Sequence, residues 1–451
     1  MIKRIKWKDS KILGDLELDF TKPDGTAYNT VVIAGENGSG KTHILETLST
    51  FLNLGSFDPL GELTYDVNGI TYTLVPANIN SNLGFHNRVN HSDGKETIIS
   101  SNHNNNRSSI ETDMSDIRHY GCVYTKARSG FGTRVIKTSS TQQLDDSKYE
   151  NDEKEDFTQI KQLLIDIQIQ DDRAWARIFK DGMVMTYDQF VPTSKTYRFQ
   201  KAFNDFFKVM KYDGIAEGLS EELNVVFTKN SQSIPIDKLS TGEKQVVFRG
   251  AYLLKNSRNL EGGTILIDEP ELSMHPKWQE KIFEYYRGLF RQNNIQTVQM
   301  IFATHSENVV RAALRDPDNV LVIILNDDNG IVKADKIHDR VLPTIIAAEV
   351  NYLAFDIKSI DYHIALYGDL QTQTGNAKII DMDSYIKTQM EYDSLLYEKD
   401  DNSSYGHYKT LPTYIRNAID HPDSGRIYSE EELEKSIILL RKICKRLRNI
   451  P

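Results

Sequence analysis

The sequence predicts an α/β fold in which a sheet carries a glycine-rich loop between its first core strand and a helix. Residues 31–34 form a short apolar run before that loop, and residues 44–52 have the spacing of a helix after it. Two more apolar runs, 265–267 and 298–303, end in polar residues, as strands at a site do. We therefore predict a sheet-based domain over 1–341 and a mainly α-helical accessory region over 342–451.

Composition restricts the class of protein. The chain has 451 residues, of which 39% are hydrophobic and 26% charged, and its net charge is −10. A chain with a net negative charge does not attract nucleic acid over its whole surface. We therefore expect the protein to contact DNA as part of a complex with a partner. No apolar run reaches the ~18 residues of a membrane span, and we expect a cytoplasmic location. Cys122 and Cys444 lie too far apart in sequence to indicate a disulfide framework or a zinc site.

The N-terminus has the alternation of two strands with opposite charges on their outer faces. Ile5 and Trp7 alternate with basic residues, whereas Leu16, Leu18 and Phe20 alternate with acidic ones. Antiparallel pairing would set the two charged rows opposite each other and form cross-strand ion pairs. The basic cluster is therefore assigned to an N-terminal antiparallel β-subdomain rather than to nucleic acid.

A long insertion, about 77–235, separates the first motif from the second. Before it, Asn68-Gly69 between two apolar runs predicts a β-hairpin. Residues 78–116, with His86, His91 and His103, are polar and without periodicity, which predicts a surface loop with solvated histidines. An acidic linker is predicted over 145–156, followed by helices over 157–179 and 197–210.

The glycine-rich loop matches the phosphate-binding pattern GxxxxGKT. Its glycines let backbone N–H groups approach phosphates, while the following helix presents its positive end. We expect Lys41 to contact the β and γ phosphates of ATP and Thr42 to bind Mg²⁺. The nucleotide-binding residues predicted here are Gly35, Glu36, Asn37, Gly38, Ser39, Gly40, Lys41, Thr42 and His43.

Two carboxylates follow the apolar run 265–267. Asp268 is the second predicted Mg²⁺ ligand, and Glu269 is positioned to orient and deprotonate an attacking water. His305 follows the run 298–303 and is predicted to contact the γ-phosphate. The predicted catalytic residues are therefore Glu269, Lys41 and His305.

A second anion-binding loop is predicted at Leu239-Ser240-Thr241-Gly242-Glu243, before a helix over 243–254. This loop resembles the signature motif of ATPases that trap nucleotide between two heads, and the resemblance implies that it closes over the nucleotide of another chain. Ser240, Gly242 and Glu243 are thus expected to complete the ATP site of a second chain, which implies a homodimer of heads or a higher homo-oligomer.

Together these motifs resemble the ABC-type ATPase head of RecF-like and SMC-like proteins over about residues 1–335. The segment 271–276 is similar to the D-loop of such heads, which communicates between them. His43 departs from the pattern, since many relatives repeat Thr there. No unambiguous Q-loop glutamine precedes the helical insertion, and the candidates are Gln142, Gln143 and Gln159.

A closer resemblance is carried by residues 12–20, 361–368 and 411–422. These segments are similar to the PtuA-type ATPases of Septu and retron antiphage defence systems. The resemblance implies an ATP-hydrolysing, Mg²⁺-dependent ATPase that binds a PtuB-like HNH endonuclease through its C-terminal region. An AriA-like ATPase of PARIS systems, with a TOPRIM effector, has the same head and stays an alternative.

Two C-terminal patterns leave a nuclease open, although we expect no nuclease activity of the chain itself. An apolar run ending in Asp381 and Asp383 is similar to the strand and DxD of a TOPRIM site, and is read more simply as a strand and an exposed turn. Arg416 and His421 fit the R-x4-H pattern of HEPN ribonucleases, which predicts an ATP-gated ribonuclease as an alternative. A RecF-like or SMC-like DNA-repair ATPase without a toxic partner is a further alternative.

Overall fold

The structure is a computed structural model that describes residues 1–77, 85–100, 107–128, 130–152, 157–181, 185–217, 222–293, 295–328, 330–337, 340–400 and 408–449. The chain divides into two compact units, residues 1–335 and 336–451. Of the helices in these described ranges, none is both long and apolar enough to cross a bilayer.

The strands, in chain order, are β1 (Ile2–Trp7), β2 (Glu17–Asp19), β3 (Thr30–Gly35), β4 (Leu60–Val67), β5 (Ile70–Pro76), β6 (Phe85–Asn90), β7 (Glu96–Ser100), β8 (Cys122–Thr125), β9 (Tyr149–Asn151), β10 (Met210–Glu217), β11 (Leu223–Lys229), β12 (Gln232–Pro235), β13 (Thr264–Asp268), β14 (Arg291–Gln292), β15 (Ile295–Gln296), β16 (Gln299–Thr304), β17 (Val320–Asp328) and β18 (Ile331–Lys336).

The helices are α1 (Lys41–Leu52), α2 (Arg107–Thr112), α3 (Phe157–Lys180), α4 (Tyr187–Phe190), α5 (Tyr197–Phe206), α6 (Thr241–Lys244), α7 (Gly250–Leu254), α8 (Pro276–Leu289), α9 (Glu307–Ala313), α10 (Ala347–Phe355), α11 (Ile360–Thr374), α12 (Ile379–Lys387), α13 (Ser394–Tyr397), α14 (Leu411–Asp420) and α15 (Glu430–Leu447). A π-helical turn, Gln245–Arg249, joins α6 to α7.

The central sheet has seven strands in the order β18-β17-β3-β16-β13-β8-β9. The strands from β17 to β9 pair in parallel. Every residue of β3, β13 and β16 is buried. One face of these strands shares a hydrophobic core with α1, β1 and β4, and Phe283 of α8 packs on Phe302 of β16. This confirms the predicted α/β class.

A second sheet, of six strands, forms the predicted N-terminal β-subdomain in the order β2-β1-β4-β5-β6-β7. β1 and β2 pair antiparallel with Arg4 opposite Asp19 and Lys6 opposite Glu17. Arg4 Nη1 lies 3.3 Å from Glu17 Oε1, which confirms the predicted cross-strand ion pairing. These side chains are about half exposed, so the pair stabilises the fold by at most about 1 kcal/mol.

The Asn68-Gly69 hairpin is confirmed, with β4 and β5 paired antiparallel and both turn residues at positive φ. The predicted loop after it is wrong over its described part. β6 and β7 extend the hairpin, because backbone hydrogen bonds to β5 hold a polar segment as strand. His86 is buried between Phe51 and Phe57 rather than solvated, and His103 lies outside the described residues.

The helical insertion is confirmed in α3 and α5, although α5 ends at Phe206 and Met210, predicted as helix, begins β10. Both helices also pack with a three-stranded sheet, β10-β11-β12, that the sequence analysis missed. The predicted acidic linker is partly wrong, because β9 within it joins the edge of the central sheet beside β8. Residues 153–156 of that linker lie outside the described residues.

Residues 336–451 form the predicted mainly α-helical region. Tyr362 and Leu366 of α11 pack with Ile437 and Leu440 of α15 in its core. Ser429 caps α15 in a capping box with Glu432. The strand predicted at 379–383 is wrong: these residues begin α12, where Met382 faces the core.

Candidate nucleotide-binding site

Three sequence motifs meet at one edge of the central sheet. β16 lies between β3 and β13, with Thr304 in register with Ala34 and Ala303 in register with Asp268. Because all three strands are parallel, their carboxyl ends lie side by side, where open α/β sheets bind ligands. The phosphate loop, Asp268-Glu269 and His305 therefore share this edge.

The phosphate loop has the backbone conformation that its glycines permit. Gly38 and Gly40 have φ of 87° and 90°, which side-chain-bearing residues rarely adopt. A Cβ atom on Gly40 would also lie 2.6 Å from Leu13 Cδ2. Glu36, Asn37 and Gly38 are exposed at the tip of the loop, whereas Gly35 and Ser39 are buried and His43 is half-buried on α1.

Lys41 folds back over this loop. Its Nζ donates to the carbonyl oxygens of Gly35 at 2.9 Å and Glu36 at 2.7 Å. Burial lowers the pKa of Lys41, although the neighbouring carboxylates of Glu269 and Asp268 oppose that shift. The ammonium thus lies inside the loop whose backbone is shaped to surround a phosphate.

Thr42 and Asp268 form the part of the site that fits a divalent cation. Thr42 Oγ1 donates to Asp268 Oδ2 at 2.9 Å. The other oxygen, Oδ1, is buried without a hydrogen-bond partner in the described part of the chain, and burial raises the pKa of Asp268. A hydroxyl and an unsatisfied carboxylate oxygen fit Mg²⁺, which takes few protein ligands together with waters and phosphate oxygens.

Glu269 and His305 contact each other directly. His305 Nδ1 lies 3.1 Å from Glu269 Oε1, and this hydrogen bond lowers the pKa of Glu269 and raises that of His305. Glu269 adopts a left-handed backbone conformation, with φ of 43°. Such a conformation costs about 1–3 kcal/mol and is characteristic of functional sites. An ionised carboxylate held at this edge can accept a proton from water.

The second loop forms a separate cluster. Ser240 accepts from the Glu243 backbone N–H, while the Glu243 carboxylate accepts from the Ser240 backbone N–H at 2.8 Å and from Lys229 at 3.0 Å. Ser240 is exposed, and Gly242 is buried against the Ser273 carbonyl. Within the described residues these hydrogen bonds join the loop to itself and to Lys229, not to the phosphate loop. The single chain therefore leaves Ser240 facing outward.

Arg249 is a site residue that the sequence analysis missed. Its buried guanidinium donates to the carbonyl oxygens of Asp268 at 2.9 Å, Glu269 at 3.0 Å and Lys126. It thereby connects the helix after Ser240 to the backbone of Glu269, the predicted catalytic base. An arginine inside the apolar run 246–254 was the available signal, since a buried charge requires partners.

The sequence analysis also did not predict the contacts of Glu271 and Lys126 near this site. Glu271 is buried and accepts from Thr304 Oγ1 at 2.7 Å. Lys126 follows β8 and lies 2.9 Å from Glu46 Oε1, one helical turn after Thr42 on α1. Glu271 entered the sequence analysis only as part of the segment 271–276, and no pattern around Lys126 indicates a contact with Glu46.

The Q-loop candidates lie together elsewhere in the same unit. Gln142, Gln143 and Gln159 line a polar cavity of ≈ 170 Å³ with Glu150 and Lys255. A role for any of them in nucleotide sensing stays a prediction.

The C-terminal nuclease patterns have local structural partners. Asp383 accepts from the Thr410 backbone N–H and hydroxyl, and so holds the start of α14. Arg416 pairs with Asp420 at 2.6 Å within α14, and His421 is exposed where that helix ends. These contacts give Asp383 and Arg416 structural roles within residues 336–451, and a nuclease role for Arg416 and His421 stays a prediction.

A family model described as "AAA domain, putative AbiEii toxin, Type IV TA system" matches residues 31–311. The match covers more than half of the chain and includes every part of the site above. The chain belongs to this AAA domain family.

Curated relatives of this AAA domain protein match over shorter stretches. The "Retron Vc95 probable ATPase" of Vibrio cholerae is 32% identical over 25% of the chain, and the "Retron Ec83 probable ATPase" of Escherichia coli is 35% identical over 19%. The Septu protein PtuA of Bacillus thuringiensis is 28% identical over 21%. The matches span 23%, 17% and 25% of these relatives, respectively.

Solved SMC heads are distant structural neighbours of this AAA domain protein. An SMC head bound to the C-terminal winged-helix domain of ScpA has 15% identity and a TM-score of 0.41, and the Thermotoga maritima SMC head has 16% and 0.36. Each alignment covers 74% of this chain and 98% of the other.

Proposed function

We propose that the protein binds and hydrolyses ATP in an antiphage defence complex. The observation that supports this most strongly is the edge of the central sheet where Thr42 bonds Asp268 and Glu269 bonds His305 beside the phosphate loop. A cation subsite, a base and a phosphate cradle adjoin there. These are the parts that phosphoryl transfer to water requires.

Each side chain has a distinct role in this reaction. Lys41 leaves its loop carbonyls to bind the β and γ phosphates, while backbone N–H groups of residues 35–42 hold the remaining phosphate oxygens. Thr42 and Asp268 hold Mg²⁺, which supplies charge neutralisation between the phosphates when bound. Glu269 accepts the proton of the attacking water, and the His305 ring orients the γ-phosphate.

Head-to-head dimerisation completes the site. Ser240 is exposed at a helix N-terminus, where backbone N–H groups favour an anion, yet its bonds in the single chain are local. A second copy of the chain would complete the ATP site by placing its Ser240 and Gly242 against the γ-phosphate. A twofold arrangement would create two equivalent ATP sites.

We propose that ATP hydrolysis controls the activity of a partner protein. The relatives named above are ATPases of retron systems and the Septu protein PtuA, which supports a role in defence. We propose that residues 336–451 dock an HNH endonuclease of PtuB type and that head dimerisation controls its access to DNA. That unit exposes Met390, Leu395 and Ile427, whose apolar side chains are suited to contact a protein.

The proposal is tested by purifying the chain with its native operon, measuring ATP hydrolysis and identifying the bound protein. We expect Mg²⁺-dependent hydrolysis and a co-purifying HNH protein. Lys41→Ala should abolish ATP binding, whereas Lys333→Ala, which changes an exposed lysine on β18, should leave it intact. Hydrolysis that survives Lys41→Ala would refute the assigned site, and a stable complex lacking a nuclease would refute the assigned partner.

A further inference from the structure

Glu271 is a buried carboxylate beside the proposed site that the mechanism above leaves unused. We infer that Glu271 is a positioning residue: its Oε1 atom holds the end of β16 and so fixes the His305 imidazole against Glu269. This inference rests on the proposed ATP hydrolysis, because it concerns how one of its residues is placed.

Two consecutive residues of β16 and its following loop donate to the same carboxylate oxygen. Thr304 Oγ1 lies 2.7 Å and the His305 backbone nitrogen 3.3 Å from Glu271 Oε1. The Thr304 hydroxyl also accepts from the Ser306 backbone N–H at 2.9 Å, so its one proton is committed to Glu271. Glu271 therefore determines how the chain leaves β16 immediately before the His305 side chain.

The imidazole itself lies between two carboxylates. His305 Nδ1 is 3.1 Å from Glu269 Oε1 and 3.7 Å from Glu271 Oε1. Because both carboxylates face Nδ1, the other ring nitrogen, Nε2, is directed away from them. The His305 side chain is 41% exposed, so Nε2 is available to a nucleotide at the sheet edge.

The burial of the Glu271 carboxylate indicates that this side chain has a role other than stabilising the fold. The side chain is 2% exposed, and among the described residues its Oε2 atom has no hydrogen-bond partner. Taking a carboxylate out of water costs several kcal/mol unless strong partners compensate. Burial accordingly raises the pKa of Glu271. A glutamine at position 271 would keep an amide oxygen in place of Oε1 without burying a charge. Glu271→Gln therefore separates the hydrogen-bond acceptor from the negative charge.

Glu271 is the first residue of the segment 271–276, whose role as a D-loop stays a prediction. Its carboxylate is directed inward to Thr304 and His305 rather than outward to another chain. Two residues later, the Ser273 carbonyl lies against Gly242 of the second loop. Contact between heads through this segment would involve residues after Glu271.

Steady-state ATP hydrolysis by the full chain tests the inference, with Glu271→Ala, Glu271→Gln, His305→Ala and the Glu271→Ala/His305→Ala double variant. We expect Glu271→Ala to lower kcat about tenfold or more while KM for ATP changes by less than about threefold, because the phosphate loop is untouched. Glu271→Gln should restore kcat to within about threefold of wild type. In the His305→Ala background, Glu271→Ala should cause no further loss.

Glu349→Gln is a matched control, because Glu349 is also a buried carboxylate that accepts backbone N–H groups, in the other unit. It should leave kcat unchanged. If Glu271→Ala does not fold, Thr304→Val takes its place, because it removes one donor to Glu271 Oε1. Thr304→Val should lower kcat in the wild-type background and cause no further loss in the His305→Ala background.

Three outcomes would overturn the inference while leaving ATP hydrolysis established. These are an unchanged kcat in Glu271→Ala, a loss that adds fully to that of His305→Ala, or no rescue by Glu271→Gln. A wild-type chain that hydrolyses no ATP would instead overturn the proposed function, and this inference with it.

Discussion

Thr42 Oγ1 donates a 2.9 Å hydrogen bond to Asp268 Oδ2 and so joins the first residues of α1 to the end of β13. The two residues are 226 positions apart in sequence. Parallel pairing of β13 and β3 with β16 between them sets this distance. Among the described residues, the second oxygen of Asp268 has no hydrogen-bond partner. We therefore propose this pair as the Mg²⁺ subsite.

Removing either member of this pair should weaken Mg²⁺-dependent nucleotide binding. We expect Thr42→Ala and Asp268→Asn each to raise the Kd for MgATP at least about tenfold, with little effect on binding in EDTA. Isothermal titration calorimetry with and without Mg²⁺ measures the difference. Thr50→Ala is the control, since Thr50 lies on the same helix with an exposed hydroxyl bonded to the Glu46 carbonyl. Equal losses with and without Mg²⁺ would contradict the assignment.

Arg249 should be required for stability as well as for the site. Arg249→Ala removes a buried guanidinium that donates to the carbonyl oxygens of Asp268, Glu269 and Lys126. We expect a loss of at least about 3 kcal/mol, since breaking buried charged contacts is costly. Thermal unfolding of the full chain by calorimetry measures it, with Arg315→Ala, an exposed arginine, as control. Equal stability of the two variants would show that these hydrogen bonds contribute little.

His363 should make residues 336–451 sensitive to acid. The imidazole is fully buried, with Nε2 2.9 Å from Ser436 Oγ, and burial lowers its pKa to about 3. The unfolded chain binds this proton near pH 6.5, so stability falls as pH drops below 6.5 and continues to fall toward pH 3. At pH 5 the loss is about 2 kcal/mol.

His363→Gln should remove that part of the pH dependence. Denaturant unfolding of the full chain at pH 7.5 and pH 5 gives the two free energies for each variant. Wild type should lose more stability between these pH values than His363→Gln does. Identical losses would show that His363 is not the group responsible.

The two-chain site predicts complementation between inactive variants. Lys41→Ala removes the phosphate-loop lysine, and Ser240→Arg fills the exposed loop with a bulky cation; each homodimer should be inactive. A mixed dimer retains one site built from the intact loop of each chain. Equal mixing should therefore restore about a quarter of wild-type hydrolysis. Mixtures that stay inactive would argue for a site completed within one chain.

The sequence identified the parts of the site that are continuous in the chain. The phosphate loop, Asp268-Glu269 and His305 each follow an apolar run, and the structure aligns those runs as β3, β13 and β16. Side-chain contacts across elements were not predictable in this way. Arg249 and Glu271 contact residues that are distant in sequence, and no local pattern specifies which carbonyl or hydroxyl they reach.

Tertiary pairing also overrode local composition. Four of residues 85–90 are polar, yet pairing with β5 makes the segment a strand, and His86 is buried beside Phe51. At 379–383 the apolar residues predicted a strand, but helical spacing turns Met382 and Ile386 toward the same core. Short apolar runs do not distinguish strand from helix without knowledge of what they pack against.

We propose that Glu269 is the base for ATP hydrolysis at this site, and Glu269→Gln separates that role from nucleotide binding. ATP binding by calorimetry should stay within about threefold of wild type, while hydrolysis falls at least about a hundredfold. Glu284→Gln, an exposed acid on α8, should match wild type in both measurements. Normal turnover by Glu269→Gln would show that Glu269 is not the base.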